Sequence, residues 1–269
     1  MNSVIRQKAW QAGQFIIFLL HSGTRYGVHS PFLYEFVDTV IRKDGAVAGG
    51  ERIEKIRKEY RQSREVIMKT DFGARAEGQE SVKYSVALRH IAGSSLSTRR
   101  QARRLHRLVC FMGCTRILEI GTSLGITTAY MAAANPKSRI VTLEGCPELC
   151  RLAGENFRRL GINNIELIRG PFEETLQQAL DKLGGAGLVF VDGNHRKEAA
   201  VEYFQRCLPY VNNETVMVFD DIHASPGMED AWAQIRANPA VRISIDLFFS
   251  GWVFFRKESS REQFRLRYF

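Results

Sequence analysis

The chain has 269 residues, of which 45% are hydrophobic, and its formal net charge is +9. This length can bury one large core with an appended segment, and the composition excludes a mainly disordered chain. The charge is uneven: residues 1–110 hold 20 Lys and Arg against 10 Asp and Glu, whereas residues 111–269 hold 18 against 19. The basic excess therefore lies entirely in the N-terminal part of the chain.

Residues 1–94 are predicted to form a helical N-terminal extension. The apolar cluster at residues 15–20 is far shorter than the ~20 apolar residues of a membrane span, and no small-residue cleavage site follows it. We therefore expect neither a transmembrane segment nor a signal peptide. The cluster is expected to pack on the rest of the chain or on a second subunit in a homodimer, with a peripheral membrane contact as the alternative.

The rest of this extension carries weaker patterns. Residues 28–32 predict a turn into a helix with Pro31 near its start, and Arg52 to Lys69 predict one charged helix with a solvated face. The glycine-containing stretch from Asp71 to Ser95 is interpreted as a lid or substrate-binding segment or, equally, as a plain linker.

A helix rich in arginine is predicted next, capped by Ser97 or Thr98. Its arginines suit a solvated face, and the alternative is a site for an acidic substrate or nucleic acid. We regard nucleic acid as the less favoured partner.

The most informative motif begins where the apolar run Ile117–Ile120 breaks into a glycine-rich turn. Glycine lets the backbone approach a ligand closely, and a helical pattern from Thr127 to Ala134 follows the turn. A dinucleotide fingerprint would need glycine where Ser123 stands. Glu119 would repel a pyrophosphate but suits a ligand that carries an ammonium or sulfonium. The turn therefore indicates a small-molecule cofactor site, with a ligand-free strand-turn-helix joint as the alternative.

Two further predicted strands end in residues that could bind the same ligand. Glu144 closes the strand Arg139–Leu143 and lies 23 residues beyond Gly121, which is close to the spacing at which an acid meets a ribose hydroxyl. The strand Ile165–Ile168 closes with residues 169–172, whose backbone and Phe172 ring could border an adenine or form an ordinary turn.

Acidic residues follow the next two predicted strands. Asp192 comes directly after Leu188–Val191, and Asp220 and Asp221 follow Val216–Phe219. Ligands of open parallel sheets gather beyond the carboxyl ends of the strands, so we expect these acids to converge there. Carboxylate oxygens suit hard cations such as Mg²⁺ or Ca²⁺, whereas helix capping is the simpler role.

Strand-helix alternation predicts a parallel sheet, with helices at 148–160, 172–183, 197–208 and 228–238. Near the C-terminus, Val241–Phe248 and Trp252–Phe255 predict an antiparallel hairpin with its turn at Ser250-Gly251.

The turn from Glu119 to Gly125 resembles motif I of the class I S-adenosylmethionine (SAM) dependent methyltransferases. The region from Ser95 to Lys257 resembles their catechol O-methyltransferase type, in which an acid after strand four and an Asp-Asn pair after strand five hold a divalent metal. Asp192 and Asp220 match these ligands, and Asp221 stands where the family has asparagine. The family's catalytic lysine is replaced by His195.

The resemblance implies a seven-stranded Rossmann-like sheet of order 3-2-1-4-5-7-6, with strand seven antiparallel. It also implies a SAM-dependent methyltransferase domain over residues 95–269, following the extension and possible lid of residues 1–94. The implied reaction is O-methylation of a small hydroxylated acceptor with SAM as cofactor and Mg²⁺ or Ca²⁺ as a possible aid. The alternatives are a nicotinamide-dependent oxidoreductase and a non-catalytic SAM-binding protein.

The predicted site residues follow from the motifs and the resemblance. Asp192 and His195 are predicted as catalytic, with His195 preferred over His223 as the base. Asp192, Asp220 and Asp221 are the predicted metal ligands. The predicted cofactor-binding residues are Glu119, Gly121, Thr122, Ser123, Gly125, Thr127, Glu144, Gly145, Gly170, Pro171, Phe172 and Asp192.

The cysteine pattern indicates little about the function of the protein. The five cysteines are odd in number and their spacing does not suit zinc, which is typical of reduced thiols in a cytoplasmic protein.

Overall fold

The structure, a computed structural model, describes residues 3–24, 27, 30–73 and 81–268. The chain divides into two compact units, one of residues 1–42 with 186–269 and the other of residues 43–185. The predicted boundary after residue 94 stays a prediction.

The N-terminal part contains both helices and strands. Its elements are α1 (Ser3–His21), α2 (Pro31–Phe36) followed by a π-helical turn (Val37–Arg42), α3 (Gly50–Gln62), β1 (Val66–Asp71), β2 (Val82–Ala87), α4 (Leu88–Ser94) and α5 (Arg99–Met112). As predicted, Pro31 is at the start of a helix, where its missing N–H costs nothing. Val28 and His29 of the predicted turn lie outside the described residues, as do residues 74–80 of the predicted lid or linker. Most of the remainder of that stretch is not a linker, because it forms β2 and α4.

The prediction of one charged helix from Arg52 to Lys69 is wrong in its second half. Helix α3 ends at Gln62, and Val66–Asp71 pairs with Val82–Ala87 in an antiparallel hairpin. Val66 and Ile67 are β-branched and favour a strand, while the charged residues that suggested a helix lie mainly before them. The run of charged residues led us to predict that the helix continues past Gln62, although the local preference changes there from helix to strand.

The remaining elements alternate as predicted. They are β3 (Arg116–Ile120), α6 (Ile126–Ala134), β4 (Arg139–Glu144), α7 (Pro147–Leu160), β5 (Ile165–Arg169), α8 (Phe172–Leu183), β6 (Leu188–Val191), α9 (Lys197–Cys207), β7 (Val216–Asp220), α10 (Pro226–Ala237), β8 (Ile243–Asp246), β9 (Ser250–Phe254) and β10 (Glu262–Arg265), with a short 3₁₀ turn at Leu208–Tyr210. The strands of β3 to β7 are short apolar runs, as expected of strands covered on both faces.

The main sheet has eight strands in the order β5-β4-β3-β6-β7-β9-β8-β10. Its first seven strands follow the predicted order 3-2-1-4-5-7-6. Strand β9 is antiparallel to both β7 and β8, which confirms the predicted antiparallel strand seven. Strand β10 was not predicted; it pairs in parallel with β8, with Glu262 opposite Ile243.

The terminal hairpin turns earlier than predicted. Ser250 and Gly251 belong to β9, where they pair with Asp220 and Phe219, so the turn lies at residues 247–249. Phe248 has a φ of 69° in this turn, a conformation in which glycine would be expected. The serine-glycine pair therefore misled the prediction, because the side chain that adopts the turn conformation is aromatic.

The apolar cluster of α1 has two faces. Phe18 is buried, and the Phe15 and Phe18 rings contact Phe248 at centroid distances of 4.8 and 5.4 Å. Ile16 and Leu20 are exposed. Packing on the chain's own hairpin is thus confirmed for one face of α1. Among the described residues, no helix has the length and apolarity required to span a bilayer.

The arginine-rich helix α5 begins as predicted but is not a simple solvated face. Thr98 accepts a hydrogen bond from the backbone N–H of Gln101 and so caps the helix. Arg104 and Arg107, however, are buried. Burial lowers the pKa of Arg107 to about 10, helped by the charge of Arg104.

Candidate functional site

The glycine-rich turn joins β3 to α6 and has a backbone that favours small residues. Gly121 and Gly125 have φ values of 106° and 72°, and Ser123 lies in the left-handed region at 50°. At Gly125 a Cβ atom would also lie 2.6 Å from the Phe157 ring of α7. Glycine is therefore needed at position 125 both for its conformation and for the close packing of the turn on α7.

Thr122 and Thr127, the other predicted cofactor residues of this segment, are both buried. The Thr122 hydroxyl donates to the carbonyl oxygen of Leu143 and shares a 2.6 Å hydrogen bond with the Thr142 hydroxyl. The backbone N–H groups of Gly121 and Thr122 also donate to the Leu143 oxygen. These bonds hold the start of the turn against the end of β4.

Glu119 is completely buried beneath the turn. One carboxyl oxygen, Oε2, accepts hydrogen bonds from the hydroxyls of Thr128 and, at 2.6 Å, Thr142. The other oxygen, Oε1, is buried without a hydrogen-bond partner among the described residues. Burial raises the pKa of Glu119 to about 8, although the two hydroxyls act in the opposite direction.

This environment changes the expected role of Glu119. A carboxyl group with a pKa near 8 is mostly protonated at neutral pH, so by itself it attracts a cationic ligand only weakly. Its observed contacts instead tie β3 to Thr142 on β4 and Thr128 on α6. A cation bound nearby would favour the ionised form, because an opposite charge lowers the pKa of a carboxyl group.

Glu144 connects the turn to the neighbouring helix. Its Oε2 accepts a hydrogen bond from the backbone N–H of Ser123 at 2.8 Å, and its Oε1 accepts one from the N–H of Cys146 at 2.9 Å. Burial raises the pKa of Glu144, while these hydrogen bonds and the charge of Lys69 act against that rise. The structure thus brings the predicted ribose-binding acid next to the glycine-rich turn.

The third predicted segment also lies beside Glu144. The Gly170 N–H donates to the Glu144 carbonyl oxygen at 3.0 Å, and Gly170 has a φ of 149°. Pro171 is the N-cap residue of α8, whose first residue is Phe172. Gly145, the last predicted cofactor residue, lies against the Phe72 ring at the end of β1. All of these positions belong to the unit of residues 43–185.

The predicted acids and histidine lie in the other unit, after β6 and β7. Asp192 and Asp220 are joined by a side-chain hydrogen bond. Burial raises the pKa of Asp220 well above its usual range, and the charge of Asp221 adds to the effect. Ionising both carboxyl groups of this buried pair is therefore costly.

The predicted metal site is less complete than the sequence suggested. Within the part of the chain that the structure describes, no three His, Cys, Asp or Glu side chains are grouped so that they could hold a metal ion. Asp221 has a φ of 53°, and its backbone N–H donates to the Phe249 carbonyl oxygen. The oxygen donors of the Asp192–Asp220 pair are of the hard type that suits Mg²⁺.

The two candidate bases differ in their surroundings. The Nε2 atom of His195 is 3.7 Å from Oδ1 of Asp192, and its side chain is 37% exposed. His223 is buried, with Nδ1 2.6 Å from Glu229 and Nε2 3.0 Å from Asp246. Because both ring nitrogens of His223 are engaged by carboxylates, this histidine has no free nitrogen to accept a proton.

The contacts of His223 also shift its pKa. Burial lowers its pKa, but the hydrogen bonds and charges of Asp246 and Glu229 more than offset that effect, so the pKa is raised overall. The ring links α10 to β8, and it stacks on Phe248 at a centroid distance of 5.0 Å. Its role in the fold is therefore structural.

Sequence reasoning missed several side chains around these groups. Thr128 and Thr142, which hold Glu119, could have been noticed as hydroxyls within otherwise apolar elements, since buried polar groups need partners. Glu229 and Asp246, which hold His223, lie on elements distant in sequence. Nothing local connects those two acids with the histidine.

Known proteins are similar to the part of the chain that contains these residues. Residues 118–222 match a family model described as a methyltransferase domain. The chain is 35% identical over 115 residues to a catechol O-methyltransferase of Mycobacterium tuberculosis, a match covering 42% of this chain and 50% of the relative. It is 32% identical over 127 residues to a catechol O-methyltransferase of Niastella koreensis, covering 45% of this chain and 56% of the relative. The chain thus spans about half the length of the curated relatives that it matches.

A solved structure extends the similarity in fold. An O-methyltransferase from Bacillus cereus, in complex with S-adenosylhomocysteine (SAH), superposes with a TM-score of 0.55 at 21% identity, covering 82% of this chain and 96% of that one. With the strand order and the motif I turn, these matches define a class I methyltransferase fold. Within that class, the chain is similar to catechol O-methyltransferases over about half of their length, in agreement with the resemblance seen in the sequence.

Proposed function

We propose that the protein is a SAM-dependent O-methyltransferase that acts on a small hydroxylated acceptor. The observation that carries the proposal is the hydrogen bond from the Ser123 N–H to Glu144, which brings the motif I turn and an acid suited to ribose hydroxyls to one place. The similarity to two catechol O-methyltransferases and the SAH in the Bacillus cereus structure support it. We also propose that the protein is cytoplasmic and that its methyltransferase domain begins at residue 95, after an N-terminal extension of residues 1–94.

The two groups of residues would have different tasks. Residues 119–125, Thr127, Glu144, Gly145 and 170–172 would hold the cofactor. Methyl transfer from a sulfonium is an in-line displacement, so the remaining requirement is an oriented acceptor with a lone pair. His195 would take the acceptor's proton, because it lies beside Asp192 with its ring partly exposed, whereas His223 is enclosed by carboxylates.

A divalent cation forms the second part of the proposal. Asp192 and Asp220 would hold it, with Asp221 as the third acid. When bound, such an ion lowers the pKa of a coordinated hydroxyl group. The fit rests on the two hydrogen-bonded carboxyl groups, Asp192 and Asp220, whose hard oxygen donors suit such an ion.

Two experiments, one on binding and one on turnover, test the proposal. Calorimetry should show that the purified protein binds SAM and SAH in preference to NAD, since position 123 lacks the glycine of a dinucleotide fingerprint. A screen of hydroxylated acceptors with labelled SAM, with Mg²⁺ and with EDTA, should then show transfer that needs the ion. Tighter binding of NAD would contradict the cofactor assignment, and full transfer in EDTA would contradict the role of the cation.

A further inference from the structure

The hairpin of β1 and β2 is attached to the loop that follows Glu144. The Thr70 N–H donates to the Cys146 sulfur at 3.4 Å, and the Cys146 thiol contacts the Met68 carbonyl oxygen at 3.9 Å. Ile67, on the inner face of β1, is buried. Strand β1 is thereby fixed along residues 144–146, directly beside the acid to which the ribose is assigned.

At the end of this strand an aromatic ring covers a glycine. A Cβ atom on Gly145 would lie 2.6 Å from Cδ2 and 2.9 Å from Cε2 of Phe72. Phe72 therefore occupies the space that a side chain at position 145 would fill. The half-buried ring lies against Gly145, which follows Glu144 and has no side chain of its own.

We infer that Phe72 is a cofactor-binding residue whose ring packs against the purine base of the nucleoside held by Glu144. This inference rests on the proposed function. A base attached to a ribose at Glu144 must lie within a few ångströms of that carboxylate, and an aromatic ring is the surface that purines prefer. The segment that contains Phe72 was expected to be a lid, a substrate-binding segment or a linker, and its link to Glu144, 72 residues away, has no local signature.

The hairpin also contributes charge beside the same acid. Lys69 acts on Glu144 through its positive charge, which counters part of the effect of burial. An ionised Glu144 is the form that accepts hydrogen bonds from ribose hydroxyls. Lys69 on β1 thus supplies a charge for the acid, and Phe72, just after the end of β1, supplies a ring for the base.

Calorimetric titration of SAH into the full-length parent and into Phe72→Ala tests the inference. Loss of the ring should weaken SAH binding by about 10-fold or more. Adenosine should lose affinity by a similar factor, since it carries the same base. Phe72→Trp should keep most of the affinity, and its indole fluorescence should change when SAH binds. The control is Met68→Ala, whose exposed side chain lies on the outer face of the same strand and should leave binding unchanged.

The possible outcomes separate this inference from the function on which it rests. If the parent does not bind SAH, the proposed function and this inference both fail. If the parent binds SAH and folded Phe72→Ala binds it equally well or more tightly, the ring is a hairpin contact or a cover, and this inference alone is overturned. A loss for SAH without a loss for adenosine would also overturn it. Circular dichroism spectra of each variant establish that it is folded.

Discussion

At the scale of single residues, the motif I acid differs most from its expected behaviour. Glu119 was expected as a negative charge at the strand end, but it is a buried carboxyl group with one oxygen hydrogen-bonded by two threonines. The presence of the acid was visible in the sequence. Its protonation state depends on burial and on Thr128 and Thr142, which no local pattern reveals.

Glu119→Gln should make the stability of the protein less dependent on pH. The folded pKa of about 8 lies above the value of 4.5 that an unperturbed glutamate has, so the stabilising proton is present at low pH and is lost as pH rises through 8. Between these values the parent's free energy of unfolding should fall with rising pH, whereas glutamine has no proton to release. We expect the variant to gain at least about 1 kcal/mol relative to the parent between pH 5 and pH 9.

Urea unfolding at the two pH values measures this difference. Glu202→Gln, which changes an exposed acid on α9, is the control and should follow the parent. An identical fall in the free energy of unfolding for the parent and for Glu119→Gln would show that Glu119 is already ionised at pH 5.

His195→Ala should reduce methyl transfer by about 100-fold with little change in SAH affinity, because the variant removes a proton acceptor rather than a cofactor contact. The measurement pairs steady-state rates with calorimetry. His223→Ala is informative beside it: loss of the link between Glu229 and Asp246 should lower thermal stability. The assignment of the base is wrong if His195→Ala keeps the parent rate while a folded His223→Ala loses it.

At the scale of elements, most of the helices and strands beyond residue 98 could be predicted, since their apolar periods and glycine breaks are local. The π-helical turn after α2 and the strand β10 could not. Strand β10 has only four residues, Glu262–Arg265, and two of them are charged. It is a strand because β8 offers it a partner, and that pairing is a tertiary effect.

Gly125→Ala should destabilise the joint between the motif I turn and α7 by at least about 2 kcal/mol. The added methyl group would lie 2.6 Å from the Phe157 ring, at a φ of 72° that alanine disfavours. Gly154→Ala is a matched control on α7, because nothing lies within 4 Å of its added Cβ. Alanine should stabilise that helix by about 1 kcal/mol. Equal stabilities of the two variants in urea would contradict this account of the packing.

At the scale of the whole molecule, the resemblance predicted the strand order correctly, but the sequence predicted only part of the candidate cofactor site. The sequence placed Glu144 and the glycine turn correctly because the ends of neighbouring parallel strands lie side by side. It did not anticipate the hairpin of β1 and β2, whose position depends on contacts with residues 144–146. Long-range packing of this kind has no local signature.

SAH should raise the unfolding temperature of the protein, and NAD should not. A ligand that binds only the folded state at 100 times its Kd adds about 2.7 kcal/mol of stability. For a chain of this size we expect an increase of several degrees. A thermal shift series with increasing SAH measures it, and Glu144→Ala should reduce the shift at each concentration. An equal shift with NAD would favour an oxidoreductase.

The contact between β1 and Cys146 makes one thiol a reporter of hairpin opening. Cys146 is 1% exposed, and its sulfur is engaged by the backbone of β1, whereas Cys110 is exposed. An alkylating reagent can reach Cys146 only when this strand separates from the loop, so its labelling rate follows the population of the open form. A cofactor held against Phe72 would slow that labelling while Cys110 reacted at an unchanged rate. The labelling rate of Cys146 therefore measures opening of the hairpin without the need for a methyl acceptor.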